Sequence, residues 1–183
     1  MAIPEGTYTL GPDDGTLVVR TTRSGVAAKA GHDLLIEVTA WQATLEVAAT
    51  ASSFALEADA RSLRVREATG GMQALSAEDL AGIAQTIDDE ILKGCTIEFR
   101  STQIEPTGAG LSVHGALRLA DSTSPVGFEI ASGAEGEVSG TAVLTQSDWG
   151  ITPYSTLFGT LKVVDEVEVS LLARLPAQAG YSA

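Results

Sequence analysis

Apolar and polar residues alternate with a period of two along most of this chain. In Thr96-Ile97-Glu98-Phe99-Arg100-Ser101-Thr102, Ile97 and Phe99 fall on one face and Glu98 and Arg100 on the other, the pattern of a strand with one buried side. Related segments are Thr16 to Thr21, Leu34 to Val38, Trp41 to Val47 and Phe54 to Ala60, the last continued by Leu63 to Val65. Later strands are expected at Leu111 to Leu119, Pro125 to Ile130, Glu137 to Thr145 and Thr160 to Leu175. Turn chemistry separates them, at Asp13-Asp14-Gly15, at Pro106 to Gly110 and at Ser132 to Gly136. Many alternating strands joined by short Gly-rich turns predict an antiparallel barrel or sandwich.

One segment has a different period. From Ser76 to Lys93, Leu80, Ile83, Ala84, Ile87 and Ile91 recur at helical spacing, giving one apolar face. Ser76 suits the N-cap, Glu78 and Asp79 suit the positive end of the helix dipole, and Lys93-Gly94 suits the stop. A helix over about 76–93 with one greasy face must lie on the barrel, across an end or against its wall. Arg66 to Gln73 reads as the loop before it.

Composition narrows the functional classes. The 183 residues form one expected domain, 1–183, with enough chain for a real core. With 11 Lys and Arg against 24 Asp and Glu, the formal net charge is −13. That argues against a nucleic-acid partner, whose backbone must be met by cations, and against an anionic membrane surface. No window approaches a membrane span, so stable membrane insertion is not expected. The N-terminus lacks a basic region followed by an apolar run. This predicts a cytoplasmic protein, or the mature form of an exported one. Cys95 is the single cysteine, so no intrachain disulfide is expected; a small half-buried hydrophobe is the expected role. His32 and His114 lie far apart without metal-ligand spacing, and no phosphate-binding glycine loop or nucleophile elbow is present. No cofactor is expected.

The densest cluster of rings outside the strands is Gln146-Ser147-Asp148-Trp149-Gly150-Ile151-Thr152-Pro153-Tyr154-Ser155, followed by Gly159-Thr160-Leu161-Lys162-Val163-Val164-Asp165-Glu166-Val167. Loops on a rigid scaffold commonly carry function. The Ser-Asp-aromatic-Gly-Ile-x-Pro-Tyr phrase and the Gly-x-Leu-x-Val-x-Asp-x-Val strand resemble the signature of the YceI-like family, lipocalin-like polyisoprenoid-binding proteins. Gly31-His32-Asp33-Leu34 and the helix followed by Ile97-Glu98-Phe99-Arg100-Ser101 resemble it as well, in the same order along the chain. The likeness spans roughly Tyr8 to Leu175. It departs from the common pattern at Gly94-Cys95, where a Tyr-Pro is usual. It also departs at Asp121 to Val126, and the N-terminal strand lacks a His-Ser pair. The resemblance implies an antiparallel lipocalin-like β-barrel of about eight strands, with the helix packed beside or across it. It also implies a long apolar tunnel holding an isoprenoid or other long-chain lipid, and a homodimer.

Each candidate residue has a functional and a structural reading. Trp149, Tyr154 and Phe158 either form the mouth or wall of the tunnel or clamp their loop onto the barrel. His32 either bonds the polar end of a ligand or is satisfied by a backbone carbonyl or Asp33. Ile97, Phe99, Leu117 and Val143 are expected to face inward, against ligand or against one another. Asp148 is expected to tie its turn by accepting from backbone amides. Three functions remain open: a carrier or sequestering protein for a long apolar lipid, an enzyme on a lipid-like or small hydrophobic substrate, and a solid-core interaction or stress-response scaffold. A hollow, apolar bore distinguishes the first from the last.

Overall fold

The computed structural model describes residues 3–176. In chain order the strands are β1 (Gly6–Leu10), β2 (Gly15–Thr21), β3 (Arg23–Ser24), β4 (His32–Val38), β5 (Trp41–Val47), β6 (Ser53–Asp59) and β7 (Leu63–Gly70). After the helix α1 (Ala77–Thr86) come β8 (Thr96–Pro106), β9 (Gly110–Leu119), β10 (Ser122–Ser132), β11 (Glu137–Thr145), β12 (Ser155–Thr156), β13 (Leu161–Val163) and β14 (Glu166–Arg174). Eleven of them make one antiparallel sheet, in the order β1-β5-β6-β8-β9-β10-β11-β14-β2-β4-β7. The other three form a small sheet, β12-β13-β3.

The register shows how eleven segments make an eight-stranded barrel. Leu10 of β1 pairs with Ala43 of β5, and Leu17 of β2 pairs with Val38 of β4. Trp41 pairs with Ala58, and Val38 with Leu63. Thus β1 with β2, β4 with β5, and β6 with β7 are three long strands, each kinked at one level. With β8, β9, β10, β11 and β14 they make eight. The ring closes where β14 pairs with both β11 and β2. Ser62, a buried polar residue, holds the kink. Its hydroxyl accepts from the Ala40 amide at 3.0 Å and donates to the Asp59 carbonyl at 2.7 Å, and its carbonyl accepts from the Thr39 hydroxyl at 2.8 Å. A bend in a buried strand leaves polar backbone groups unpaired unless a side chain meets them.

Beyond the kink, β7 pairs with β4 alone, so its other edge is open. The helix covers it. Ser76 caps it, its hydroxyl accepting from the Asp79 amide while the Asp79 carboxylate accepts from the Ser76 amide. α1 then packs along β7 and continues as a wider π-helical turn over Ile87–Leu92. It stops at Lys93, which is left-handed with φ 52°, and the Gly94 amide donates to Asp88 at 2.8 Å.

Several expectations shift. β7 runs to Gly70, where a loop was expected from Arg66, because pairing with β4 extends to His32. β8 continues to Pro106 past an irregularity between Ser101 and Gln103. The expected last strand, Thr160 to Leu175, is split at Val164-Asp165 into β13 and β14, which serve different sheets.

A candidate ligand cavity

The barrel is packed with side chains at one end and hollow at the other. At the filled end lie Ile3, Tyr8, Ala43 and Val113, all buried, with the Tyr8 hydroxyl donating to the Pro4 carbonyl. Above them Phe54, Phe99 and Phe128 meet at centroid distances of 5.3 to 6.0 Å, tilted or edge-on, the geometry aromatic quadrupoles favour. These rings floor a cavity of about 730 Å³, within the range of roughly 300–1,000 Å³ typical of small-molecule sites.

All eleven strands of the large sheet contribute to its wall, from Leu10 of β1 to Leu63 of β7. Ile83, Ile87 and Ile91 close the side where β7 has no partner, and Ile151, Tyr154 and Val163 stand at the loop end. The wall is mostly Leu, Ile, Val and Phe, with Ala58, Gly82, Gly140 and Ala142 as the small exceptions. The bore is therefore wide because the upper barrel is unfilled, with the helix standing in for missing wall.

Polar lining is sparse. Thr21, Thr86, Ser139, Gln146 and Tyr154 supply it, together with the carboxylates Glu78 and Asp79 at the start of the helix; among the described residues no Lys, Arg or His lines the cavity. The Asp79 carboxyl is held below its ordinary range because it accepts from the Ser76 hydroxyl and then from the Ser76 amide. Thr21 Oγ1 is the one buried side-chain polar atom among the described residues with no hydrogen-bond partner. Gln146 lies at the same end: its amide donates to the Val164 carbonyl at 3.0 Å, and the Val164 amide donates to the Thr22 carbonyl at 2.8 Å.

The structure sorts the candidate residues. Ile97, Phe99 and Leu117 line the cavity, and Tyr154 stands at its rim, 43% exposed. Trp149 is buried outside the bore, its indole donating to the Leu117 carbonyl at 2.8 Å. Phe158 is fully exposed and does not reach the cavity. His32 also lies outside it: Nε2 is 2.9 Å from the Gln73 carbonyl oxygen, and the ring packs on Gly71. Val143 corrects an expectation, since it is 61% exposed while Gly140, Ala142 and Leu144 line the bore. Side chains alternate along β11, so the even-numbered residues point inward, and Ser139, which borders the cavity, is itself exposed. The loop is tied by Asp165, not Asp148: Asp165 accepts from the amide and hydroxyl of Ser147. His114 is exposed, and Cys95 is half-buried against the core. Among the described residues, no group of three or more His, Cys, Asp or Glu is placed to hold a metal ion, and no helix is long and apolar enough to cross a membrane.

Sequence reading missed Thr21, whose role follows from its partner's absence, and the wall residues Leu34, Ile36 and Val38. The alternation of those three apolar residues was the available signal.

A closed antiparallel barrel with one unfilled apolar end and a flanking helix is a lipocalin-like architecture. The YceI-like domain matches residues 8–175, and the chain belongs to that family. Two solved structures share the fold. A YceI protein of Campylobacter jejuni, from crystals with large solvent channels, is 13% identical with a TM-score of 0.51. A mutant CJ YceI protein is 12% identical with a TM-score of 0.53. Each alignment covers 78% of this chain and 85% of the other. Among curated proteins, none matches the sequence.

Proposed function

We propose that the barrel binds one long-chain apolar lipid of the polyisoprenoid type, as a carrier, storage or sequestering protein. The supporting observation is the unfilled, branched-aliphatic bore above the three phenylalanines. Each methylene taken from water contributes about 0.8 kcal/mol, so ten of them offer about 8 kcal/mol before ordering costs, with few polar contacts needed. The same lining argues for an uncharged polar end. A phosphate or carboxylate drawn into the bore would pass the exposed Glu78 and Asp79 at its edge and meet no cation inside, and an unpaired buried charge is costly. Thr21 Oγ1 is free to bond an alcohol or carbonyl oxygen.

A catalytic reading lacks support. His32 stands outside the cavity, and its titratable lining consists of Glu78 and Asp79 on the helix and Tyr154 at the rim. The homodimer carried by the family resemblance is retained as the proposed assembly, to be measured by sedimentation equilibrium.

Calorimetric titration with an isoprenoid alcohol and with its monophosphate tests the reading. The alcohol is expected to bind at least tenfold more tightly. Equal or tighter binding of the monophosphate removes the uncharged-head assignment; binding of neither removes the lipid-carrier reading.

A further inference from the structure

Among the described residues, seven large apolar side chains are conspicuously exposed: Val26, Met72, Val143, Tyr154, Leu157, Phe158 and Leu172. Five of them fall in three loops at one end of the barrel. Val26 is in the loop between β3 and β4, Met72 lies between β7 and the helix, and Tyr154, Leu157 and Phe158 lie between β11 and β13. Val26 is 96% and Met72 81% exposed, and Phe158 is wholly free of the surface.

The loops form one rim. The small sheet joins two of them, pairing Ser24 with Lys162 and Lys162 with Ser155. The Ala27 amide donates to the Thr160 carbonyl at 2.9 Å. The third is tied by the Arg23 guanidinium, which donates to the Thr69 carbonyl at 2.7 Å, and by His32 against the Gln73 carbonyl. Leu75, Ile151, Tyr154 and Val163, from the same loops, line the cavity. The exposed rings and methyls therefore surround the open end of the bore.

Phe158 is held outward by its backbone. Leu157 and Phe158 are consecutive left-handed residues, φ 52° and 55°, a conformation costly for side chains with a Cβ. The amide and hydroxyl of Thr160 both donate to the Leu157 carbonyl and fix the turn. A strained turn presenting a phenylalanine to water points to function.

The charge pattern narrows the occupant. Residues 22–31, 70–76 and 150–164 contain Arg23, Lys29 and Lys162 and not one of the chain's 24 acids. Arg23 is partly matched by Asp33 at 3.6 Å, and Glu78 and Asp79 sit at the helix start nearby; Lys29 and Lys162 are exposed. Asp148 and Asp165 flank the last of these segments, Asp165 being engaged by the amide and hydroxyl of Ser147, and charges beyond about 10 Å are largely screened at physiological salt.

Although the net charge of the whole chain argues against an anionic surface, we propose that this cation-bearing rim docks reversibly on a phospholipid bilayer containing anionic lipids, with Phe158, Val26 and Met72 entering the headgroup boundary and the bore opening toward the membrane. Exposed apolar side chains beside cations are the chemistry of interfacial binding. The inference supplies a route for cargo and so rests on the lipid-binding reading, yet docking is measured separately. In flotation with phosphatidylcholine–phosphatidylglycerol vesicles, the wild-type chain is expected to float, and V26D/F158D to lose at least tenfold in binding. Direct uptake of an isoprenoid alcohol delivered from cyclodextrin should be unchanged in that variant. Uptake without flotation overturns docking and leaves the cavity assignment standing; flotation without uptake does the reverse. Equal flotation of both proteins overturns the role of this rim. A wild-type dimer that V26D/F158D converts to a monomer shows the rim to be a protein interface, and overturns docking.

Discussion

The Trp149 indole donates a 2.8 Å hydrogen bond to the carbonyl of Leu117, whose side chain lines the cavity. The aromatic loop is thus fastened to the back of the wall whose front faces the bore. Ser124 adds a second tie, its hydroxyl donating to the Asp148 carbonyl at 2.8 Å.

Trp149→Phe keeps most of the buried ring and removes the donor. It is expected to cost about 0.5–1.5 kcal/mol by removing the indole's hydrogen bond, read from the urea midpoint. Trp149→Ala should cost about 3–5 kcal/mol. A W149F midpoint equal to wild type would show that the bond contributes nothing to holding the loop.

Neighbours on β11 separate bore from outer face. Ala142→Trp places an indole into the cavity and should reduce isoprenoid-alcohol affinity at least tenfold with the circular dichroism spectrum unchanged. Val143→Trp, on the outer face, should leave affinity within twofold. Reversal of the two results would put β11 in the opposite register.

The phenylalanine floor sets the depth. Phe99→Ala removes one ring of the trio and is expected to destabilise the empty protein by about 3–5 kcal/mol. It should also shift preference toward longer chains, measured by competition between isoprenoid alcohols of different length. Loss of stability without any change in length preference would mean that the chain does not reach the floor.

Acid should loosen the helix. Asp79 is ionised in the folded protein with its pKa lowered from 3.8 by the Ser76 hydroxyl and amide. A depressed carboxylate contributes stability fully above its unfolded pKa, and the contribution disappears as pH falls through the folded value. Wild type should therefore lose more stability between pH 5 and pH 3, an interval of about two units around that reference value, than D79N. Parallel pH profiles for the two proteins would contradict this role for the capping box.

Much of the architecture is legible in the residues. β8 and β9 alternate cleanly, and the Ser76 cap with helical spacing of Ile83, Ile87 and Ile91 marks the helix and its inward face. β1 is harder to see because it is five residues long and takes its meaning from pairing with β5. The kink is not local either: Ser62 meets Thr39 and Ala40, more than twenty positions away. Cavity membership followed strand phase where alternation was unbroken, at Ile97 and Phe99. It failed at Val143, where Gly140-Thr141-Ala142-Val143-Leu144 offers small or apolar residues on both faces. Trp149 and Phe158 are both aromatic loop residues, yet one is buried and the other wholly exposed. That difference is set by backbone geometry rather than residue type.

The hollow apolar bore is tested most directly by extracting protein purified without detergent into organic solvent and identifying the released molecules by mass spectrometry, with native mass spectrometry giving the stoichiometry. One long-chain uncharged lipid per barrel, absent from A142W, is the expected result. Protein that releases no lipid and takes up no isoprenoid alcohol afterward would contradict the assignment.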